Sequence, residues 1–294
     1  MSKSSTEFAP PTIPGPVAAT RAPRVRLATG SCDCHAHIFG PQSKYAYAPT
    51  RRYTPPDALL ADYVKMLTTL GVTRAVLVQP SVYMTDNTLI LDALAAAQFP
   101  LRAVAVVTEA VTDAELKRMD ELGVRGFRLN LRNDNGASAA SAPRLAARIA
   151  RYGWHLQFRI NSADFVGMAP LLKALPVDFV IDHIGQVPVA EGIGSAAFQT
   201  ILELTQTGRC WVKLSAPMRM SAQEYPYADV TPFVHALVAA APARMLWATD
   251  WPHTTLTKSM QNDGDLADLL PQWLPDAATR TRVLVANPAQ LYRF

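Results

Sequence analysis

The sequence predicts a single (β/α)8 barrel (TIM barrel) with an extended N-terminal arm, and three observations predict it. Short apolar runs rich in β-formers alternate with longer helical patterns through eight rounds. Four of those runs, Ala75–Gln79, Ala103–Val107, Asp178–Ile181 and Met245–Trp247, are apolar almost throughout, as parallel strands covered on both faces must be. The length of 294 residues suits one such barrel. A doubly wound nucleotide fold has little support, because neither GxGxxG nor GxxxxGK[ST] occurs.

Taken in order, residues 1–28 are rich in Pro, Ala, Ser and Arg and lack the apolar centre of a signal peptide. They read as an extended arm, open to flexing, that wraps the barrel or a neighbouring subunit; residues 29–294 form the barrel. Strands are expected to begin near Cys32, Arg74, Leu101, Arg125, His155, Val177, Cys210 and Arg244. Helices are expected at Asp57–Leu70, Asn87–Ala97, Asp113–Leu122, Ala142–Tyr152, Asp164–Leu175, Ser195–Thr207 and Ala228–Ala240, several opening on an acid or Ser able to cap. Gly71, Gly123 and Gly153 stand where a left-handed residue ends a helix. The loop Gly40–Pro56 is long and rich in Tyr, Pro and Arg, which marks it as functional. Residues 276–294 close the chain, with Asn287-Pro288 as a helix start.

Hydrophobic residues make up 49% and charged residues 18%, enough for a large core. The net charge of +4 comes without a dense basic run, so nothing points to nucleic acid. No apolar run approaches the roughly 20 residues of a membrane span, and the cytoplasm is the expected location. Cys32, Cys34 and Cys210 show no disulfide or metal spacing and read as core residues. On a regular strand both early thiols would alternate with Asp33 and His35.

In a barrel of this kind chemistry sits at the C-terminal ends of the strands. His35 and His37 end the first strand, and the His-x-His spacing turns both imidazoles the same way. Arg128 and Asn130 end the fourth, with Arg132 just beyond; Arg159 and Asn161 end the fifth, His183 the sixth, Ser215 the seventh with Arg219 shortly after, and Asp250 the eighth. Such imidazoles and carboxylates either bind a metal or act without one as general base and carbonyl polariser. Taken alone, Asp250 could instead cap a helix opened by Pro252. His155 starts a strand and belongs to the opposite face; His235 lies mid-helix; His253 either backs the site or ties down a loop. Arg128, Arg132, Arg159 and Arg219 would ring the mouth, and guanidinium forks favour a small polyacid over a sugar or peptide. Tyr53 and Ser81, on strand-end loops, could donate to the same anion.

At these residues the chain resembles the amidohydrolase superfamily, and within it the 2-pyrone-4,6-dicarboxylate lactonase group. The resemblance runs over nearly the whole chain from Gly30 and is carried by Cys-Asp-Cys-His-Ala-His-Ile-Phe-Gly-Pro, Tyr-Ala-Pro-Thr-Arg-Arg-Tyr-Thr-Pro, Gly-Val-Arg-Gly-Phe-Arg-Leu-Asn, Ile-Asp-His-Ile-Gly, Pro-Tyr-Ala-Asp-Val and Leu-Trp-Ala-Thr-Asp-Trp-Pro-His. It implies hydrolysis of a carboxylate-bearing lactone from aromatic-compound breakdown. Asp250 would activate water; His35, His37 and His183 would polarise the carbonyl; Arg128, Arg132, Arg219, Tyr53 and Ser81 would hold the anionic groups. Two departures stand out: Gln186 replaces an Arg of the group, and Arg159 replaces an aromatic residue. Strand four offers no Lys or Glu to bridge two metals, and strand five offers Arg159 where metal-dependent relatives place a His. No cofactor is favoured, and a single zinc on His35, His37 and Asp250 stays open. The alternatives on this fold are a 4-sulfomuconolactone-type hydrolase, a sugar-acid lactone isomerase and a metal-dependent decarboxylase. The expected partner is a small anionic lactone, with no nucleic acid and no membrane; a homo-oligomer is left open.

Overall fold

The computed structural model describes residues 10–133, 136–256 and 258–294; residues 1–9 of the expected arm lie outside these. Eight parallel strands follow one another around a barrel: β1 (Cys32–Ala36), β2 (Arg74–Val78), β3 (Leu101–Ala105), β4 (Val124–Asn130), β5 (His155–Arg159), β6 (Phe179–Ile181), β7 (Cys210–Leu214) and β8 (Met245–Trp247). The ring is closed just past β8, where His37 N donates to Trp251 O at 2.8 Å and Asp250 N to His35 O at 3.0 Å. Among the described residues, the helices between successive strands cover the outside: α1 (Leu60–Leu70), α2 (Thr88–Ala96), α3 (Asp113–Leu122), α4 (Ala142–Ile149), α5 (Phe165–Ala174), α6 (Ala196–Gln206) and α7 (Thr231–Ala240). Among the described residues no helix is long and apolar enough to cross a membrane.

Local chemistry sets the ends of these elements. Thr112 and Glu115 form a reciprocal capping box on α3. Gly71, Gly123 and Gly153 take φ of +78°, +107° and +62°, the left-handed stops expected of them. The first helix starts three residues later than the pattern suggests, because Ala58 is engaged in an antiparallel bridge with Phe39 and Asp57 accepts from Gln42 N. Ala150–Tyr152 and Ala228–Val230 are 3-10 turns rather than α-helix.

The C-terminal third holds more helix than expected. The short helices α8 (Asp263–Ala267) and α9 (Leu270–Trp273) were not legible, being too brief to show periodicity. Asn287-Pro288 does not initiate its helix either. The chain is already helical from α10 (Ala277–Thr281) through a π turn at Arg282–Ala286 into α11 (Asn287–Tyr292). Across the wider turn Asn287 N–H bonds back to Arg282 O, just ahead of Pro288, which has no N–H to give. Nor does Pro252 open a helix; among the described residues the next helix starts at Asp263, so Asp250 caps nothing.

Inside the barrel, Cys32, Cys34, Val76, Val78, Val104, Val180, Trp211 and Leu246 form an apolar floor closed by Tyr292. Regular alternation would set Cys34 and His35 on opposite faces. Instead the pairing of β1 with β2 shifts register between Asp33 and Ala36, so the thiols and then the imidazoles all face inward. Asp33 faces the seam beside β8 and α1, accepting from Tyr63 Oη at 2.9 Å and Thr249 N at 3.0 Å. All three cysteines are buried and free.

Residues 10–28 lie along the outside of the barrel. Thr54 N donates to Pro11 O at 2.8 Å, and Ile13 N to Thr54 O at 3.1 Å. Further on, Arg21 pairs with Asp265 and Asp268, and Asn262 bonds the backbone of Ala19 and Arg21.

Candidate active site

The C-terminal strand ends converge on a cavity of about 330 Å³ lined by His37, Arg128, Arg132, Arg159, His183, Arg219 and Asp250, with Tyr53 and Ser81 on its rim. The residues singled out in the sequence therefore do meet, with His35 fully buried beneath them.

His37 and His183 are each oriented by one partner, His35 by several. His37 Nδ1 donates to the carbonyl of Val78 at 2.7 Å, which turns Nε2 into the site. His183 Nδ1 bonds Ser215 Oγ at 2.8 Å, so its Nε2 points at Asp250 Oδ1, 3.6 Å away. His35 Nε2 lies 3.4 Å from His37 Nε2 and 3.8 Å from Asp250 Oδ1. On its other side, His35 Nδ1 is 3.1 Å from Lys213 Nζ and 3.2 Å from Asp182 Oδ1. Asp250 and His183 adopt φ of +66° and +54°, a region that non-glycine residues rarely occupy. Strain of this kind gathers where a side chain must be aimed.

The arginines are less free than expected. Arg219 directs Nε and Nη2 onto Asp250 Oδ2 at 3.0 and 2.8 Å, so most of its fork is spent on the base. Arg128 grips Asp182 Oδ2 in the same way, at 3.1 and 2.9 Å. Arg132 and Arg159 share Gln186 Oε1. Even so, five arginines, Arg52 included, line the cavity against the single carboxylate of Asp250. That excess of positive charge suits an anionic ligand.

Electrostatics keep the groups in distinct states. Burial alone would raise the Asp250 carboxyl, but Arg219 overrides it and holds the group well below the usual range. Burial likewise acts to raise Asp182, and its partners, Arg128 and Lys213 among them, hold it well below. Burial pulls the Lys213 ammonium down to about 8, with Asp182 acting against the fall. Burial, then the other arginines, brings Arg159 down to about 9. His35 is held well below its normal value by burial and then Lys213, His37 at about 4 by burial and then Arg128, and His183 at about 3 by burial.

These shifts predict acid sensitivity. His155, on the opposite face as expected and packed on Tyr292, is also held at about 3 by burial. Unfolded imidazoles titrate near 6.5. As pH falls through that value, the unfolded chain binds protons that His35, His37, His155 and His183 refuse when folded, so stability is lost. Asp33, raised to about 6 by burial, opposes this, because its folded form protonates first on acidification. His253 also opposes it, raised by Asp263 against its own burial. Four histidines outweigh two opposing groups, so Tm is expected to fall by several degrees between about pH 7.5 and pH 5. A flat or rising Tm would show that the imidazoles charge freely inside the fold.

Sequence reading missed Asp182, Lys213, Gln157 and Arg52. A Lys inside the apolar run Cys-Trp-Val-Lys-Leu was the available signal, since a central parallel strand has no solvent face to take it. His253 bonds Asp263 at 2.9 Å and His235 bonds Gln272 O, both away from the cavity.

By spacing, two trios could hold a metal ion: His35, His37 and Asp250, and His35, Asp182 and His183, each with donor atoms within 4.8 Å of one another. Hydrogen bonding tests the first. His37 Nδ1 faces a carbonyl and so carries the ring hydrogen, which leaves a lone pair on Nε2. His35 Nε2, 3.4 Å away, then completes a hydrogen bond only as the donor. In that state a hydrogen points into the trio where a cation needs a lone pair, and that trio as arranged does not suit one.

The family model described as amidohydrolase matches residues 32–294. The chain is 35% identical to a protein named 4-sulfomuconolactone hydrolase from Hydrogenophaga intermedia, over 99% of this chain and 98% of that one. It is equally 35% identical to a 2-pyrone-4,6-dicarboxylate hydrolase from Comamonas testosteroni, over 92% of each. A crystal structure described as a probable 2-pyrone-4,6-dicarboxylic acid hydrolase from Acinetobacter baumannii, with citric acid bound, superposes with a TM-score of 0.78 at 27% identity, covering 90% of this chain and 100% of that one.

Proposed function

The chain belongs to the amidohydrolase family and is a lactone hydrolase within it; from that premise we propose that it opens a carboxylate-bearing lactone of the 2-pyrone-4,6-dicarboxylate type with water activated by Asp250. The observation that carries the reading is the pairing of one oriented carboxylate with five arginines around a single small cavity. Hydrolysis needs a base and a polarised carbonyl, and the arginines supply the reason for an anionic ring.

With Oδ2 occupied by Arg219, Asp250 presents Oδ1 to the cavity. Oδ1 takes a proton from water as the water oxygen bonds the lactone carbonyl carbon. The carbonyl π pair moves onto its oxygen, where a ring N–H of His183 meets the growing charge, the His37 Nε2 lone pair being held by His35. The pair then returns, the bond from carbon to ring oxygen breaks, and the departing oxygen takes the proton back from Asp250. The product is an open-chain acid. An aspartate held well below its normal range is a weak base in the empty site. An anionic substrate lying against Arg219 and Arg159 cancels part of their field and restores basicity where it is needed. Arg132, Arg159, Tyr53 and Ser81 hold the ring substituents, while Arg128 and Arg219 act mainly by aiming Asp182 and Asp250. No step is routed through a metal.

The test is turnover of 2-pyrone-4,6-dicarboxylate, a neutral 2-pyrone and 4-sulfomuconolactone by the purified protein, with and without chelator. The dicarboxylate is expected to be preferred over the neutral ring by about a thousandfold in kcat/KM, as two or more charge-assisted contacts imply. Arg132→Met should raise KM for the dicarboxylate about 10- to 100-fold and leave the neutral ring unaffected. Equal turnover of charged and neutral rings would defeat the reading. Sulfite release as the faster reaction would transfer it to the sulfonated lactone, and activity lost to chelator would defeat the metal-free route.

A further inference from the structure

We propose that Lys213 is the positioning residue that fixes the ring hydrogen of His35 on Nε2, so that His35 presents a hydrogen-bond donor, and not a lone pair, to His37 and Asp250 at the cavity. The inference rests on the lactone-hydrolase reading for its catalytic consequence but not for its structural content.

Lys213 stands in the middle of β7, fully buried, with Nζ 2.7 Å from Gln157 Oε1 and 3.1 Å from His35 Nδ1. An ammonium has hydrogens and no lone pair, so Nδ1 meets it with a lone pair, and the ring hydrogen must sit on Nε2. The opposite edge of the ring gives the same answer independently. There, His37 offers a lone pair on Nε2 because its own hydrogen is committed to the Val78 carbonyl, and His35 must donate to it. Two separate contacts, one on each edge, select one tautomer.

The alternative tautomer is close at hand. Asp182 Oδ1 lies 3.2 Å from the same Nδ1, and a carboxylate only accepts. With Lys213 gone, the charged Asp182 at 3.2 Å would outweigh the longer 3.4 Å contact to the neutral His37 ring, the hydrogen would move to Nδ1 and Nε2 would present a lone pair. Lys213 therefore competes with Asp182 for one ring atom, and Gln157 holds it there. The two outcomes differ chemically. With Lys213 in place, the His35 Nε2–H is held between the His37 lone pair, 3.4 Å away, and Asp250 Oδ1, 3.8 Å away, and steadies the base. Without it, His35, His37 and Asp250 would converge as three lone-pair ligands within 4.8 Å, an arrangement suited to a divalent cation. One buried lysine on β7 thus decides which of two chemistries the His-x-His motif supports.

The test is side-chain 15N NMR of the full-length protein labelled at its six histidines at neutral pH, with resonances assigned by single substitutions. The wild-type spectrum is expected to show His35 Nε2 protonated and Nδ1 bare. In Lys213→Met the hydrogen is expected on Nδ1, zinc affinity to rise about tenfold, and kcat to fall about 100-fold with KM nearly unchanged. A wild-type hydrogen on Nδ1 overturns the proposal outright, and so does a Lys213→Met protein whose tautomer and kcat are unaltered. If that variant does not fold, the wild-type spectrum still decides. The spectrum needs no substrate, so a protein that opens none of the lactones above but shows Nε2–H would refute the substrate and leave the role of Lys213 standing.

Discussion

Asp250→Asn is expected to lower kcat on the dicarboxylate at least about a thousandfold while KM stays level or falls. Arg219 decides how the amide sits. Its two N–H groups need an acceptor, so the amide oxygen takes the place of Oδ2 and the NH2 turns to the cavity where Oδ1 stood. The site then keeps its shape and loses the one lone pair that removes a proton from water. It also loses a negative charge, which favours binding of an anion. Steady-state kinetics beside a melting curve would check this: retained kcat in a protein of native stability would remove Asp250 from the chemistry.

Asp182→Ala should produce the largest loss of stability of any single change at the site, about 3–5 kcal/mol, because it leaves buried cations without their counterion. Arg128 and Lys213 are 4% and 0% exposed and both turn to this carboxylate, Lys213 at 3.6 Å. For a chain of this size that corresponds to a fall in Tm of about 10 °C, to be read by calorimetry. A drop of a degree or two would mean that the cations find water or another partner. A second change, Arg128→Met, should restore part of the loss by removing one of the stranded charges.

The fold and most of the site were legible because both are periodic. Apolar strands buried on two faces announce a parallel barrel, and a barrel fixes which end of each strand bears chemistry. His35, His37, His183 and Asp250 followed from that rule alone. What escaped has a common cause: it depends on how neighbouring strands and loops meet. The slip in β1 that turns both Cys34 and His35 inward arises from pairing with β2. The left-handed backbone at His183 and Asp250 is imposed by the loops that follow. Lys213 and Asp182 acquire meaning only across the barrel, from partners on β1, β4 and β5. The strand-end rule brings the arginines to the cavity, but it does not show that the forks of Arg128 and Arg219 are occupied by aspartates.

The strap formed by residues 10–28 ties together, from outside the barrel, two walls of the cavity. One carries Arg52 and Tyr53 and is stitched to the strap at Thr54. The other carries Thr254 and Thr255 and leads to Asn262, Asp265 and Asp268, which hold Ala19 and Arg21. Mechanically this is a clasp. Neither wall can swing outward alone without loading the other through the strap, so the mouth widens as a unit or not at all. A rigid, flat ring that fills the gap between the walls would be gripped from both sides at once, and a branched or puckered one would have to spread them together.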